Sequence, residues 1–162
     1  MIVFHLGYLL CEVLYIMSTQ ISILSLMIKD HNELNDLIEK LDESTKKDFN
    51  SMKEAFTKFE WKLEKHIFTE EKAIFTSYNP KNVSEGYEML PELTKHHNYI
   101  INKLNNWRED ISKKRALTDV YSFKEFLDNH RQFEEEKVYP KLDEFLDEDD
   151  RRHIVAKINE MI

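Results

Sequence analysis

Glycine, proline and cysteine are all scarce in this chain, and each shortage excludes a class of structure. The 162 residues include two glycines, three prolines and one cysteine. A sheet protein of this length needs many turns, and turns depend on glycine and proline. The single cysteine, Cys11, excludes an internal disulfide and a multi-cysteine metal site, and it suits a reducing compartment. We therefore predict an all-α protein in the cytoplasm.

The chain also has fewer positive than negative charges and lacks several enzyme motifs. The net charge is −8, and an acidic surface repels phosphate backbones, so nucleic acid is not an expected partner. The sequence has no Glu-x-x-His pair, no His-Glu-x-x-His motif, no Walker loop and no glycine-rich dinucleotide motif. These absences argue against ferritin-like di-iron proteins, zinc proteases and nucleotide-binding enzymes.

Residues 1–17, MIVFHLGYLLCEVLYIM, form an apolar N-terminal extension. The stretch is shorter than the roughly 20 residues that a membrane-spanning helix needs, and it lacks the basic start and cleavage site of a signal peptide. It is an extra helix on the bundle, a weak membrane-surface anchor, or a mis-assigned translation start before Met17. We favour the third alternative slightly and place the domain at 18–162, with a membrane partner not expected.

Apolar residues recur at spacings of three and four along four long segments, which predicts four amphipathic helices. The predicted helices cover about 21–41, 46–77 and 91–111, and a fourth begins at Thr118 or Asp119. The inner faces are expected to carry Met27, His31, Leu34, Ile38 and Leu41; Met52, Phe56, Phe59, Leu63, His66 and Glu70; Leu93, His97, Ile100, Leu104 and Trp107; and Phe123, Leu127, His130, Glu134 and Val138. Short connections then predict an up-down-up-down four-helix bundle.

Local signals set the expected helix ends. Ser44 or Thr45 can cap the second helix, and Pro91 suits the first turn of the third. Pro140 is expected to disturb the fourth helix late, and a short last helix should cover about 150–161.

An internal repeat places the chemistry. His66 and His130 each begin the same motif, in which three residues separate the histidine from a Glu-Glu pair and an Ile-Phe or Val-Tyr pair follows. Upstream, Asp30-His31-Asn32 resembles His96-His97-Asn98. The first two helices therefore form a hairpin that the third and fourth repeat.

Six side chains on the inner faces can hold metal. Each motif glutamate lies four residues after its histidine, one turn away on the same face. A buried carboxylate is costly unless it is paired or metal-bound, and a pair of cations explains all of the polar residues together. The predicted ligands are His31, His66, Glu70, His97, His130 and Glu134.

Imidazole and carboxylate ligands without thiolate suit iron or manganese, with zinc less favoured. Two bridging carboxylates and two histidines per ion leave room for an oxo or hydroxo bridge and for an exogenous ligand. We expect oxygen, nitric oxide or peroxide in that place. Apolar residues around the ligands would limit access of water.

Four neighbouring residues admit two interpretations each. We expect His96 to be exposed; alternatively, it replaces or joins His97. Glu71 and Glu135 lie one position off the inner face, which favours surface or supporting roles over ligation. Tyr139 is more typical of bundle packing than of redox chemistry.

The ordered motifs resemble the hemerythrin-like, or HHE cation-binding, family. The resemblance runs from about Ile21 to the C-terminus and includes both His-Glu-Glu motifs and the ending Val138-Tyr139-Pro140. It implies a non-haem di-iron site in a four-helix bundle, with the six residues above as ligands. Ile101 stands where oxygen-carrying hemerythrins have a fifth histidine, which argues against specialised oxygen storage.

Three functions follow as hypotheses. The first is binding or sensing of oxygen, nitric oxide, iron or redox state through the di-iron centre. The second is a di-iron enzyme that reduces peroxide or nitric oxide, or an iron donor in iron–sulfur cluster repair. The third is a metal-free helical interaction module. No protein partner can be named from the sequence.

Overall fold

The computed structural model describes residues 22–76 and 83–161, except for the side chains of 83–88 and 145. The apolar extension predicted at 1–17 lies outside the described residues. The described residues form helices joined by short turns, without strands, which confirms the predicted all-α fold. The helices are α1 (Ile23–Ser44), α2 (Phe49–Thr69), α3 (Val83–Ser112), α4 (Val120–Phe133), α5 (Tyr139–Phe145) and α6 (Glu148–Met161).

Two of the four long helices change their winding near the end. α2 continues directly into a π-helical segment, Glu70–Phe75, and α4 continues into a second one, Glu134–Val138. The sequence predicts a continuous α-helix at both places. Each π-helical segment begins at a motif glutamate, so the irregular backbone coincides with the residues that carry the chemistry. Single-turn π-helical segments inside α-helices occur frequently at functional sites.

Two helix boundaries differ from the predicted ones. Asp48 caps α2 by accepting hydrogen bonds from the backbone N–H groups of Asn50 and Ser51, whereas Ser44 donates back to the Leu41 carbonyl. α3 begins at Val83, and Pro91 lies inside it. Pro91 is exposed, and the helix continues past it although a proline removes one backbone hydrogen bond.

The four long helices pack as the predicted up-down-up-down bundle, with α5 and α6 at one end. All of the predicted inner-face residues are buried except Leu127, which is partly buried. Two apolar clusters result. The large cluster contains Leu34, Ile38, Leu41, Met52, Phe56, Phe59, Leu63, Ile67, Ile100, Leu104, Trp107, Leu117, Val120 and Phe123. The C-terminal cluster contains Ile23, Met27, Ala73, Ile74, Leu93, Val138, Tyr139, Leu142, Leu146, Ile154 and Ile158.

The polar residues of the inner faces lie between these two clusters. His31, for example, follows Met27 of the C-terminal cluster and precedes Leu34 of the large cluster on α1. The apolar clusters therefore close the bundle above and below a buried polar layer. Across the described ranges, no helix is both long enough and apolar enough to cross a membrane.

Candidate metal centre

The buried polar layer brings together all six predicted ligands. Their exposure does not exceed 4%, and both glutamates are fully buried. The six residues are His31 on α1, His66 on α2, Glu70 and Glu134 at the starts of the π-helical segments, His97 on α3 and His130 on α4. Ionised groups this deeply buried require a compensating charge.

Glu70 lies between imidazoles of both hairpins. Its Oε2 atom is 3.4 Å from Nε2 of His66 and 3.2 Å from Nε2 of His97. His66 belongs to the same hairpin as Glu70, whereas His97 belongs to the other one. This carboxylate thus connects the two halves of the repeat.

Glu134 occupies the equivalent position in the second half. Its Oε1 atom is 3.1 Å from Nε2 of His130, and its Oε2 atom is 3.2 Å from Nε2 of His31. Within each hairpin the imidazoles are also close, because the ring centroids of His31 and His66 are 4.9 Å apart and those of His97 and His130 are 5.4 Å apart. Two histidine pairs therefore share two carboxylates.

Many of the inward-facing atoms have no hydrogen-bond partner among the described residues. They are Nε2 of His31, His97 and His130, Oε2 of Glu70, and both carboxylate oxygens of Glu134. Buried polar atoms are rarely left unpaired, and these are imidazole nitrogens and carboxylate oxygens, the donor atoms of metal sites. Ligand atoms of His66, Glu70, His130 and Glu134 lie within 4.8 Å of one another. The residues therefore fit a metal ion.

The buried carboxylates change the proton affinity of the histidines. Burial lowers the pKa of His97, but contacts with Glu134 and Glu70 outweigh it and raise the pKa to about 10. The pKa of His31 is raised for the same reasons, although burial opposes the shift. Burial dominates at His130 and lowers its pKa to about 4. The carboxylates therefore attract positive charge, which protons can supply and a metal cation can replace.

Glu71 and Glu135 support the histidines from behind. Nδ1 of His31 is 2.8 Å from Oε1 of Glu135, and Nδ1 of His97 is 3.1 Å from Oε1 of Glu71. A hydrogen bond from Nδ1 fixes the ring and leaves Nε2 free to face the centre. These contacts agree with a supporting role for Glu71 and Glu135. Each glutamate contacts a histidine of the opposite hairpin.

The other two histidines have different supports. Nδ1 of His66 is 2.9 Å from Oδ2 of buried Asp30, which also contacts Lys62. Nδ1 of His130 is 3.2 Å from Nδ1 of His96. The prediction that His96 is exposed is wrong, since its side chain is only 21% exposed and reaches His130. Its place before His97, which matches that of Asp30 before His31, is a sequence signal that could have indicated this role.

Tyr139 contacts the centre as well as packing in the C-terminal cluster. Its buried hydroxyl donates a hydrogen bond to Oε1 of Glu70. Burial, together with the charges of Glu134 and Glu70, raises the pKa of the phenol well above its ordinary value. Tyr139 therefore remains a neutral donor that holds one oxygen of Glu70.

A small cavity opens beside the first histidine pair. Its volume is about 30 Å³, and a cavity of more than about 15 Å³ accommodates a water-sized molecule. Its lining combines three imidazoles, apolar side chains and a polar rim: His31, His66, His130, Leu34, Ile38, Leu63, Leu127, Asn35, Lys124, Asp128 and Arg131. A small ligand in this cavity would touch the candidate ligands directly.

Comparison with known proteins gives one match. The family model of the hemerythrin HHE cation-binding domain matches residues 22–142, which is about three quarters of the 162-residue chain. No curated protein and no solved structure matches the chain.

Proposed function

This chain belongs to the hemerythrin HHE cation-binding domain family, and we propose that it binds two iron ions and takes up a small exogenous ligand at them. His31 and His66 would hold one ion and His97 and His130 the other. Glu70 and Glu134 would contact both ions. Oxygen or nitric oxide is the proposed ligand, and the protein would bind it or sense iron and redox state.

The single observation that supports this proposal best is the set of unpartnered atoms at the centre. Three imidazole nitrogens and three carboxylate oxygens are buried without hydrogen-bond partners. Leaving each of them unpaired costs about 1–3 kcal/mol. Protonated histidines can offset part of this cost, whereas cations would satisfy all of the atoms at once.

The donor chemistry favours iron. Imidazole and carboxylate groups suit iron and manganese, and softer metals select thiolates. Among the described residues no cysteine is present, because Cys11 precedes them. Iron held by imidazole and carboxylate ligands would also supply the redox chemistry and open positions that binding of oxygen or nitric oxide needs.

The cavity supports a small, uncharged ligand. Leu34, Ile38, Leu63 and Leu127 form its apolar walls, and apolar walls exclude water from the ligand histidines. Repeated reduction of a ligand needs protons, which such walls deliver slowly. The cavity therefore favours binding or sensing over peroxide or nitric oxide reduction.

The test is metal analysis of protein expressed in iron-supplied cells and purified without air. We expect about two irons per chain, and an optical spectrum that changes reversibly with oxygen or nitric oxide pressure. His66→Ala and Glu70→Ala should lower the metal content. His153→Ala is the matched control, because His153 is exposed and should leave the iron content unchanged. Iron-free protein, or equal metal loss in the control, would contradict the proposal.

A further inference from the structure

We infer that the two metal positions are unequal, and that the position beside His31 and His66 binds its cation more tightly and fills first. The inference rests on the proposed two-metal function. The reason lies on the Nδ1 side of the ligand imidazoles, where the two histidine pairs face different hydrogen-bond acceptors. Asp30 and His96, which occupy equivalent places in the repeat, make the difference.

Both histidines of the first pair have carboxylates behind them. His31 donates to Glu135 at 2.8 Å and His66 donates to Asp30 at 2.9 Å. A carboxylate acceptor draws the Nδ1 proton toward itself and makes Nε2 a stronger donor to a cation. Both ligands of this position are therefore strengthened by a negative charge.

The second pair has a carboxylate behind only one of its histidines. His97 donates to Glu71 at 3.1 Å, whereas His130 faces Nδ1 of His96 at 3.2 Å. When His130 uses Nε2 to bind metal, its Nδ1 carries the proton and His96 is the acceptor. An imidazole that accepts through Nδ1 is neutral, so His130 lacks the added negative charge that His66 has.

Burial enlarges the difference. The Asp30 side chain is 2% exposed and that of Glu135 is 23% exposed, whereas the Glu71 side chain is 47% exposed. Water screens an exposed charge much more than a buried one. The two carboxylates behind the first pair therefore act more strongly than the one behind the second.

Nearby charges do not cancel this effect. Lys62 contacts Asp30, but it is also 2.7 Å from Glu33, so the group of three retains a net negative charge. On the other side, Nε2 of His96 is 3.6 Å from Glu92, whose charge is balanced by Lys95 at 2.9 Å. The first pair keeps about one more negative charge behind it than the second.

The repeat offers reciprocal substitutions as the test. Metal-free protein would be titrated with Co²⁺ without air, and the two binding steps followed by visible absorption. Asp30→Asn keeps the shape but removes the charge, and it should weaken the tighter step by about 10–100-fold. His96→Asp gives the second pair the acceptor of the first, and it should strengthen the weaker step. Glu54→Gln is the control, because its side chain is 70% exposed, contacts Lys58 and lies twelve residues before His66 on α2.

The location of the first ion can be observed directly. With one equivalent of Co²⁺, the large contact shifts, which pass only through a metal–ligand bond, should appear on the ring N–H signals of His31 and His66 and not on those of His97 and His130. This measurement uses the unaltered protein, so it decides the inference even if Asp30→Asn fails to fold. Two equal steps, a reversed order of shifts, or an unchanged weaker step in His96→Asp would overturn the inference. Failure of Co²⁺ to bind at all would overturn the proposed function with it.

Discussion

Glu70 in the first hairpin accepts a hydrogen bond from a tyrosine hydroxyl on one oxygen, whereas both oxygens of Glu134 in the second accept no hydrogen bond and face only imidazoles. The hydroxyl belongs to Tyr139, at the end of the second motif. The equivalent residue in the first motif is Phe75, whose ring centroid lies 6.2 Å from that of His97 and which has no hydroxyl to donate. The repeat thus preserves the inward-facing groups but not their supports.

This difference shows how a duplicated scaffold becomes functionally unequal. The inward-facing residues are constrained by the need for four imidazoles and two carboxylates at one level of the bundle. The residues behind them only need to orient those groups, so carboxylate, imidazole and phenol can each appear there. Differences between the hairpins are therefore expected to tune affinity and stability and not to create or remove the centre.

The largest expected effect tests whether the two glutamates are equivalent as ligands. Glu134→Gln should lower the affinity for both ions by more than the roughly 10–100-fold that loss of a supporting group costs, because both oxygens of Glu134 face the imidazoles and neither accepts a hydrogen bond. Glu70→Gln should leave at least one ion bound, since Tyr139 already occupies one of its oxygens. Metal analysis of the purified variants measures both. Equal losses in the two variants would show that the Tyr139 contact does not distinguish them.

Removal of metal should destabilise the whole bundle. At metal concentrations about 1,000-fold above the dissociation constant, binding adds about 4 kcal/mol to stability, so we expect chelation to lower the melting temperature by about 10 °C. The two glutamates are then left as like charges in one buried layer. The double variant Glu70→Gln with Glu134→Gln should be insensitive to the chelator in calorimetry. A chelator effect of the same size in that variant would exclude this explanation.

Tyr139→Phe breaks the contact that distinguishes the hairpins. It leaves Oε1 of Glu70 buried and unpaired, and we expect a loss of about 1–3 kcal/mol in the free energy of unfolding. Urea denaturation of the metal-free protein measures the loss. Tyr121→Phe is the matched control, because Tyr121 is 63% exposed and should change stability by less than about 0.5 kcal/mol. A similar loss in both variants would mean that the hydroxyl of Tyr139 contributes nothing specific.

The pH dependence of the metal-free protein should show two histidines of the second hairpin acting in opposite directions. The pKa of His97 is about 10 in the folded state, above the unfolded value of about 6.5. Its stabilising contribution is therefore complete below about pH 6.5 and is lost as the pH rises toward 10. His97→Gln should flatten this alkaline limb in urea denaturation between pH 6.5 and 10.

His130 should control the acidic limb. Its pKa is about 4 in the folded state, so the unfolded chain binds more protons between about pH 4 and 6.5 and stability falls as the pH falls through that window. His130→Gln should reduce the fall. If stability falls equally in this variant as the pH drops, the fall is caused by protonation of the carboxylates and not by His130.

Periodicity and repetition in the sequence were enough to predict the bundle and the inward positions. Side chains four residues apart on a helix must share a face, so His66 and Glu70 had to lie together, as did His130 and Glu134. The same rule predicted the buried positions of α1 and α3. The cap at Asp48 and the start of α3 at Val83 were not predicted, because several local signals competed at those ends.

The sequence by itself determined the number of long helices, their apolar faces and the six polar residues placed on those faces, because these features depend on the fixed geometry of a single helix. Only the tertiary structure decided which group supports which imidazole. Glu135 reaches His31, and His96 reaches His130, across separate helices, and such pairs depend on how helices pack and on the π-helical segments that shift their ends. Spacing along one helix cannot encode a contact between two.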